Sequence, residues 1–297
     1  MKKIKRFIQA CLLGAIIVVP IIFMIGDKHD TQIHEGEYVS PHIYMMNRKT
    51  NTIMYKKVAD TLAYPASLTK IMTAIIAIEQ IDSLSDLTKI DENTYSAMIE
   101  ANSSMAGVSP SEEVTYADLL YGTILSSGGE AANSLAVSIS GNVDHFVQLM
   151  NIKAAELKLK NTHFMNPEGL HHENQYTTAS DMAKLLDYAL DNEQFKKIFT
   201  TETYITTSTS SHPNGIYLSS TVLKQVKEAF LGNFSIIGGK SGTTYQAGQN
   251  WATLGVIDGE EYISIVMGAP LNDLSHPDRA QIEDTVKLYE NTWSSLQ

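Results

Sequence analysis

The stretch AYPASLTKIMTAIIAIEQ, residues 63–80, places a serine and a lysine, Ser67 and Lys70, three positions apart at the mouth of an apolar run. Leu68, Ile71, Met72, Ile75, Ile76 and Ile78 surround a predicted helix over 66–81 on nearly every side, the pattern of a helix buried in a core. Residues three apart share a helix face, and a rise of ~1.5 Å per residue sets them about one turn apart. A serine hydroxyl is a weak nucleophile until a base removes its proton. A lysine amine can do so when burial and nearby cations depress its pKa. The helix start also offers the Ser67 backbone N–H to a developing oxyanion. Taken singly, the pair is equally well explained as a helix-start serine with a surface lysine.

The flanking sequence suggests what this helix packs against. YVSPHIYMMNR and TIMYKKV, separated by KTN, read as a hairpin. SPSEEVTYADLLYGTILSSGGEAANSLAVSIS reads as two helical segments broken at SSGG, and residues 143–158 as an amphipathic helix. TASDMAKLLDYAL is a helix with Ser180 as its capping residue. Beyond Thr200 the pattern changes: TETYITTSTS suits strand or loop. FSIIGGKSGTT, QNWATLGVI and YISIVMGA read as three successive strands with a DGEE turn, and DRAQIEDTVKLYENTWSSL closes as a helix. Strands at both ends flanking a helical middle predict an α/β (α+β) fold, one sheet assembled from both termini with helices around it.

The chain has 297 residues and a net charge of −11. Of 22 basic residues, four (Lys2, Lys3, Lys5, Arg6) lie in the first six positions, leaving 18 against 33 acidic ones. So acidic a body excludes nucleic-acid binding by phosphate neutralisation. One cysteine, Cys11, excludes an intrachain disulfide. Residues 1–6 form a basic end, and 7–26 (FIQACLLGAIIVVPIIFMIG) are about the ~20 apolar residues that span a bilayer. With no small-x-small cleavage site following, an uncleaved anchor is favoured over a cleaved signal peptide. Residues 27–36 read as a linker, and 37–297 as one domain on the outer face of a membrane crossed once.

Two further elements accompany Ser67 and Lys70. GGKSGTTYQAGQ sets Lys240, Ser241 and Gly242 at the end of an apolar strand. A lysine, hydroxyls and a glycine that lets backbone approach suit a terminal carboxylate. LLYGTILSSGGEAANSLA puts Ser126 and Ser127 between helical segments, where a hydroxyl could bridge a lysine and a leaving-group nitrogen. Each alone reads as a strand end or a helix break.

In this order and spacing, the three resemble the active-site set of the penicillin-recognising serine enzymes, and most of all the low-molecular-weight D-alanyl-D-alanine carboxypeptidases. PASLTKIMTA, YADLLYGTILSSGGEAANSLA, NTHFMNPEGLHHENQYTTASDMAKLL and GGKSGTTYQAG carry the likeness, over roughly residues 37–270. It implies a β-lactamase/transpeptidase-like fold, with an antiparallel sheet and a helical subdomain. It also implies that Ser67 attacks the penultimate D-Ala carbonyl, Lys70 takes its proton, and Ser127 relays a proton to the departing amine. Lys240, Ser241 and Thr243 would hold the substrate carboxylate, and the backbone N–H groups of Ser67 and Thr243 would form the oxyanion hole. The implied partners are peptidoglycan stem peptides ending in D-Ala-D-Ala, β-lactams as covalent inhibitors and the cytoplasmic membrane, with no metal or organic cofactor.

The sequence departs from the family at Gly129. Ser-x-Asn is usual in the middle motif, and here it is Ser127-Gly128-Gly129, with Asn133 a turn further on. A lost polar contact costs ~1–3 kcal/mol when its partner stays buried, which would slow such an enzyme or alter its substrate preference. Ser241 stands where threonine is common. One rival reading is a β-lactamase, for which Glu168 in NPEGL is the only loop candidate to position water. Another is a degenerate domain that binds without turnover. Zinc chemistry is rejected, because His171-His172-Glu173 lacks the His-Glu-x-x-His spacing.

Overall fold

The computed structural model describes residues 38–110, 112–226, 232–274 and 276–297, all within the unit Gln32–Gln297. The expected membrane span, 7–26, lies outside the described residues. Among those, no helix is long and apolar enough to cross a membrane.

A hairpin of β1 (His42–Asn47) and β2 (Ile53–Lys57) opens the described chain. A short 3-10 turn, Ala66–Thr69, leads into α1 (Lys70–Gln80). Next come β3 (Leu87–Lys89), α2 (Glu92–Glu100), β4 (Glu113–Thr115), α3 (Tyr116–Ile124), α4 (Gly129–Ser140) and α5 (Val143–Glu156). They are followed by α6 (Ala179–Leu190), α7 (Glu193–Phe199), β5 (Thr203–Ile205), β6 (Tyr217–Ser219) and α8 (Leu223–Val226). The chain returns to the sheet as β7 (Phe234–Thr244), β8 (Gly248–Ile257) and β9 (Glu260–Ala269), and ends in α9 (Ala280–Ser295).

Five antiparallel strands run in the order β2-β1-β9-β8-β7, so the first hairpin joins the last three strands through β1 and β9. The sheet built from both ends of the chain is thus found, and alternation along its strands explains why it is covered twice. On β9, Ile263, Ile265 and Met267 enter the core shared with α1 and α6, while Tyr262 and Val266 enter a second core with Ile282, Leu288 and Tyr289 of α9. Successive side chains of a strand point to opposite faces, so one strand supplies both layers. Asp258 and Gly259, both with positive φ, form the tight β8–β9 turn that DGEE predicts.

Two expected helix starts shift. The helix over 66–81 divides at Thr69, because Ala66 has φ +47 and cannot join an α-helical run. Ser67 consequently sits in the 3-10 turn, one step ahead of the α-helix that carries Lys70. The cap of α6 is Thr178, whose hydroxyl accepts from the Asp181 N–H at 3.1 Å, and Ser180 lies inside the first turn. Thr178 has the extended backbone of a capping residue.

Truncation of Ile265, with no solvent exposure, should lower unfolding free energy by ~2–5 kcal/mol in Ile265→Ala. Ile53, 51% exposed on the outer strand of the hairpin, should cost no more than ~0.5 kcal/mol in Ile53→Ala. Urea unfolding of the two variants checks the contrast.

Candidate active site

The turn that carries Ser67 is held from three sides. Asn250, buried near the start of β8, donates to the carbonyls of Tyr64 (3.0 Å) and Pro65 (3.2 Å), while its own side-chain oxygen accepts from the Gly268 N–H at 2.8 Å. Behind the turn, Gly169 (φ +89) packs so closely that an added Cβ would lie 2.1 Å from the Ala66 carbonyl oxygen. In front, Gly242 of β7 presents bare backbone: a Cβ there would lie 2.8 Å from the Ser67 nitrogen. These contacts hold Ala66 in its left-handed conformation and leave Ser67 half-buried with its hydroxyl at the cleft.

Beneath Ser67 lie two lysines with essentially no solvent access. Lys70 Nζ is 3.2 Å from Ser67 Oγ and donates to the Glu168 carbonyl at 2.5 Å. Lys240 Nζ is 2.9 Å from Ser127 Oγ and donates to the Ser241 carbonyl at 2.7 Å. Burial pulls the Lys70 amine down to about 8, and the negative charges of Glu168 and Glu130 work against that fall. Lys240 is pushed well below the usual lysine range, first by burial and then by the charge of Lys70. One lysine is therefore matched to each hydroxyl.

Above them opens a cleft of about 460 Å³ lined by Ser67, Ser127, Ser241 and Thr243, with Ser103 and Glu168 on its walls. All six residues singled out in the sequence thus meet in one place. Lys240 faces Ser127 and is fully buried, whereas Ser241 and Thr243 present their hydroxyls to the cleft. Thr221 joins them, its Oγ1 2.7 Å from Ser241 Oγ.

Gly129 begins α4 in a place with no room for a side chain. A Cβ there would lie 2.5 Å from Ser103 Oγ and 2.8 Å from Met98 Sδ. Asn133, one turn on, donates to the Gly129 carbonyl at 3.2 Å. Burial pushes both Glu168 and Glu130 above the usual carboxylate range. Glu130 accepts from the Ala106 (2.6 Å) and Gly107 (2.8 Å) N–H groups. His171 packs edge-on against Tyr64, and among the described residues no group of three His, Cys, Asp or Glu side chains could hold a metal ion.

Sequence reasoning passed over Asn250, Thr221, Glu130 and Ser103. Asn250 carried a signal, a lone amide within the apolar strand QNWATLGVI, because a buried amide needs partners. Ser103 carried none: its neighbours in the site come from segments about 25 residues or more away in the chain.

The family described as D-alanyl-D-alanine carboxypeptidase matches residues 29–271. D-alanyl-D-alanine carboxypeptidase DacF of Bacillus subtilis is 32% identical over 197 residues, 65% of this chain and 50% of that one. DacA of Haemophilus influenzae is 29% identical over 275 residues, 90% of this chain and 66% of the relative. The chain thus spans half to two thirds of the length of these relatives. The crystal structure of the Streptomyces K15 DD-transpeptidase superposes with a TM-score of 0.78 at 26% identity, covering 88% of this chain and all of that one. Penicillin binding protein 5 of Haemophilus influenzae gives 0.74 at 29%, covering 87% and 72%.

Gly242→Ala should push the β7 backbone away from the Ser67 nitrogen. The expected result is a folded protein whose Ser67 is labelled by an acylating penicillin at least ~10-fold more slowly, since a misplacement of about 1 Å costs that much or more. Mass spectrometry of the Ser67 adduct over time, beside a melting curve, checks it.

Proposed function

We propose, from the premise that the chain belongs to the D-alanyl-D-alanine carboxypeptidase family, that it is a serine D,D-carboxypeptidase acting on peptidoglycan stem peptides. The observation that carries the reading is the 3.2 Å approach of Lys70 Nζ to Ser67 Oγ, made by an amine that burial holds near neutrality.

Ser67 Oγ attacks the carbonyl carbon of the penultimate D-Ala, and its proton passes to Lys70 Nζ. The oxyanion is met by the backbone N–H groups of Ser67 and Thr243. Collapse breaks the C–N bond, and the terminal D-Ala amine takes a proton through Ser127, whose Oγ contact with Lys240 supports a relay role. Ser241 and Thr243 hold the terminal carboxylate by their hydroxyls, with Lys240 donating to the Ser241 carbonyl behind them. Water then hydrolyses the ester on Ser67. The domain spans 37–297, and residues 7–26 anchor it with the cleft outside the cytoplasmic membrane.

A second reading, turnover of β-lactams, is favoured by one observation: Glu168 lines the cleft together with Ser67. The carboxypeptidase reading expects a long-lived penicillin adduct instead, because Glu168 is almost wholly buried. Rapid loss of that adduct, abolished in Glu168→Gln, would favour the β-lactamase.

The deciding test is D-alanine release from a peptide ending in D-Ala-D-Ala by the full chain, with Ser67→Ala as control. Release that disappears in the variant supports the reading, and a wild-type protein that acylates with penicillin yet releases no D-alanine overturns it. The amine must be neutral to act as base, so Ser67 acylation should rise with pH through a midpoint at about 8. Glu168→Gln removes a charge that favours the ammonium form, so the midpoint should fall. A stopped-flow pH series on both proteins checks the direction.

A further inference from the structure

One end of the five-stranded sheet is apolar and the other is charged. β1 and β8 begin, and β2, β7 and β9 finish, at the same end. There Val39, Val58, Leu62 and Tyr245, from three segments of the chain, are each more than half exposed. The His42 ring joins them, bonded to the Val58 carbonyl at 2.9 Å, and His42, Leu62, Tyr245, Pro270 and Leu271 line a groove of about 370 Å³. The turns at the opposite end carry Arg48, Lys49, Glu260 and Glu261, joined in ion pairs. Apolar residues scattered singly over a surface need no explanation, whereas a gathering of them at one end marks a contact.

Among them Val58 has φ +42, in the left-handed region that a β-branched residue enters only under strain. Such strain persists where the surrounding structure compels it, and it gathers at functional positions. Here it holds an isopropyl group out toward solvent, where the core gains nothing from it. The point at which the chain enters the domain is fixed at the same end. Asp284 of α9 accepts from the Val39 (3.2 Å) and Ser40 (2.6 Å) N–H groups, and Lys57 of β2 donates to the Tyr38 (2.7 Å) and Ser40 (3.0 Å) carbonyls. Eleven residues, 27–37, separate this point from the apolar run 7–26. Fully extended they reach at most about 40 Å, less than the ~45–50 Å width expected of a domain of this size. A chain anchored by that run therefore keeps the apolar end nearer the bilayer than the charged one.

We propose that the apolar end of the sheet is a membrane-contact face, seated in the headgroup layer of the bilayer that holds residues 7–26. The proposal rests on the anchoring stated above and goes beyond it, since a tether alone leaves the domain free to turn. An exposed tyrosine with aliphatic neighbours suits that layer, where its ring meets lipid and its hydroxyl meets water. The tether raises the effective concentration of the face at the surface, so a small apolar contact suffices. The body is acidic, so the contact is carried by apolar side chains and persists at high salt. Tyr245 and Gln246 line the catalytic cleft as well as the groove, so seating this face sets the mouth of the cleft at the lipid surface.

The test uses the full chain in phosphatidylcholine vesicles, with Cys11→Ser removing the native thiol and single introduced cysteines carrying an environment-sensitive fluorophore. Leu62→Cys reports on the apolar end. Lys49→Cys and Gln297→Cys report on the charged end, where Gln297 lies 3.4 Å from Asp258 of the β8–β9 turn. Nitroxide-bearing lipids should quench the label at position 62, with its emission shifted to the blue, and leave the labels at positions 49 and 297 unchanged. High salt should not relieve that quenching. Adding Val58→Asp should abolish it while the chain still floats with the vesicles. Val58→Asn should weaken it and raise the melting temperature, because asparagine tolerates the left-handed backbone. A chain that floats with the vesicles yet leaves the label at position 62 unquenched overturns the contact face and keeps the anchor. Equal quenching at all three positions overturns it as well, as adsorption without a preferred side. So does a Val58→Asn protein with a lower melting temperature and undiminished quenching. A chain that does not float overturns the anchor and the face together. D-alanine release from a soluble peptide bears on Ser67 alone and is measured separately.

Discussion

Two amines buried side by side set the terms for this molecule. Lys70 and Lys240 have almost no contact with water, and each lies within the other's field. An isolated buried ammonium is expensive to desolvate, and two of like sign more so. Their contacts to the Glu168 and Ser241 carbonyls, with Glu130 and the Glu168 carboxyl nearby, make the arrangement tolerable. Lys70 comes from the central helix and Lys240 from the edge strand of the sheet, so satisfying them requires the two halves to close on one another. The cleft is the seam between those halves.

That seam explains why glycine and asparagine, rather than larger residues, recur beside Ser67. Backbone must meet backbone where Gly242 and Gly169 enclose the Ser67 turn, and no side chain fits. Asn250 then supplies what the turn cannot make for itself. The buried amide donates to the Tyr64 carbonyl and joins the Leu68 N–H on the Pro65 carbonyl, next to which the chain turns at the left-handed Ala66. The strain is held by β8, which lies between β7 and the central strand β9, so the Ser67 turn inherits the rigidity of the core.

The middle motif shows how a lost side chain is absorbed. Gly129 does not leave a hole, since Met98 of α2 and Ser103 just beyond it fill the space where its Cβ would stand. That filling could not be read from spacing, because Ser103 lies 26 positions before Gly129, just beyond the end of α2.

Much of the fold was legible because burial imposes short periods. The hairpin of β1 and β2, the three strands β7–β9 and the closing α9 all follow from alternation or helical spacing of apolar residues, and the motifs carried Ser67, Lys70, Ser127, Lys240, Ser241 and Thr243 by type and order. Helix starts were less legible. Thr178 and Ser180 are both good capping residues, and only the backbone angles choose between them. The 3-10 turn at Ser67 depends on Ala66, whose left-handed φ is imposed by Gly169, Gly242 and Asn250, all more than 100 positions away. By itself, then, the sequence determined the elements and the sheet's composition from both termini, since these rest on local periodicity, while the candidate site residues came from the resemblance of its motifs to a family. Tertiary structure alone decided which hydroxyl each lysine serves, how far burial lowers each amine and what fills the space at Gly129. Those depend on distances between segments that the chain order does not encode.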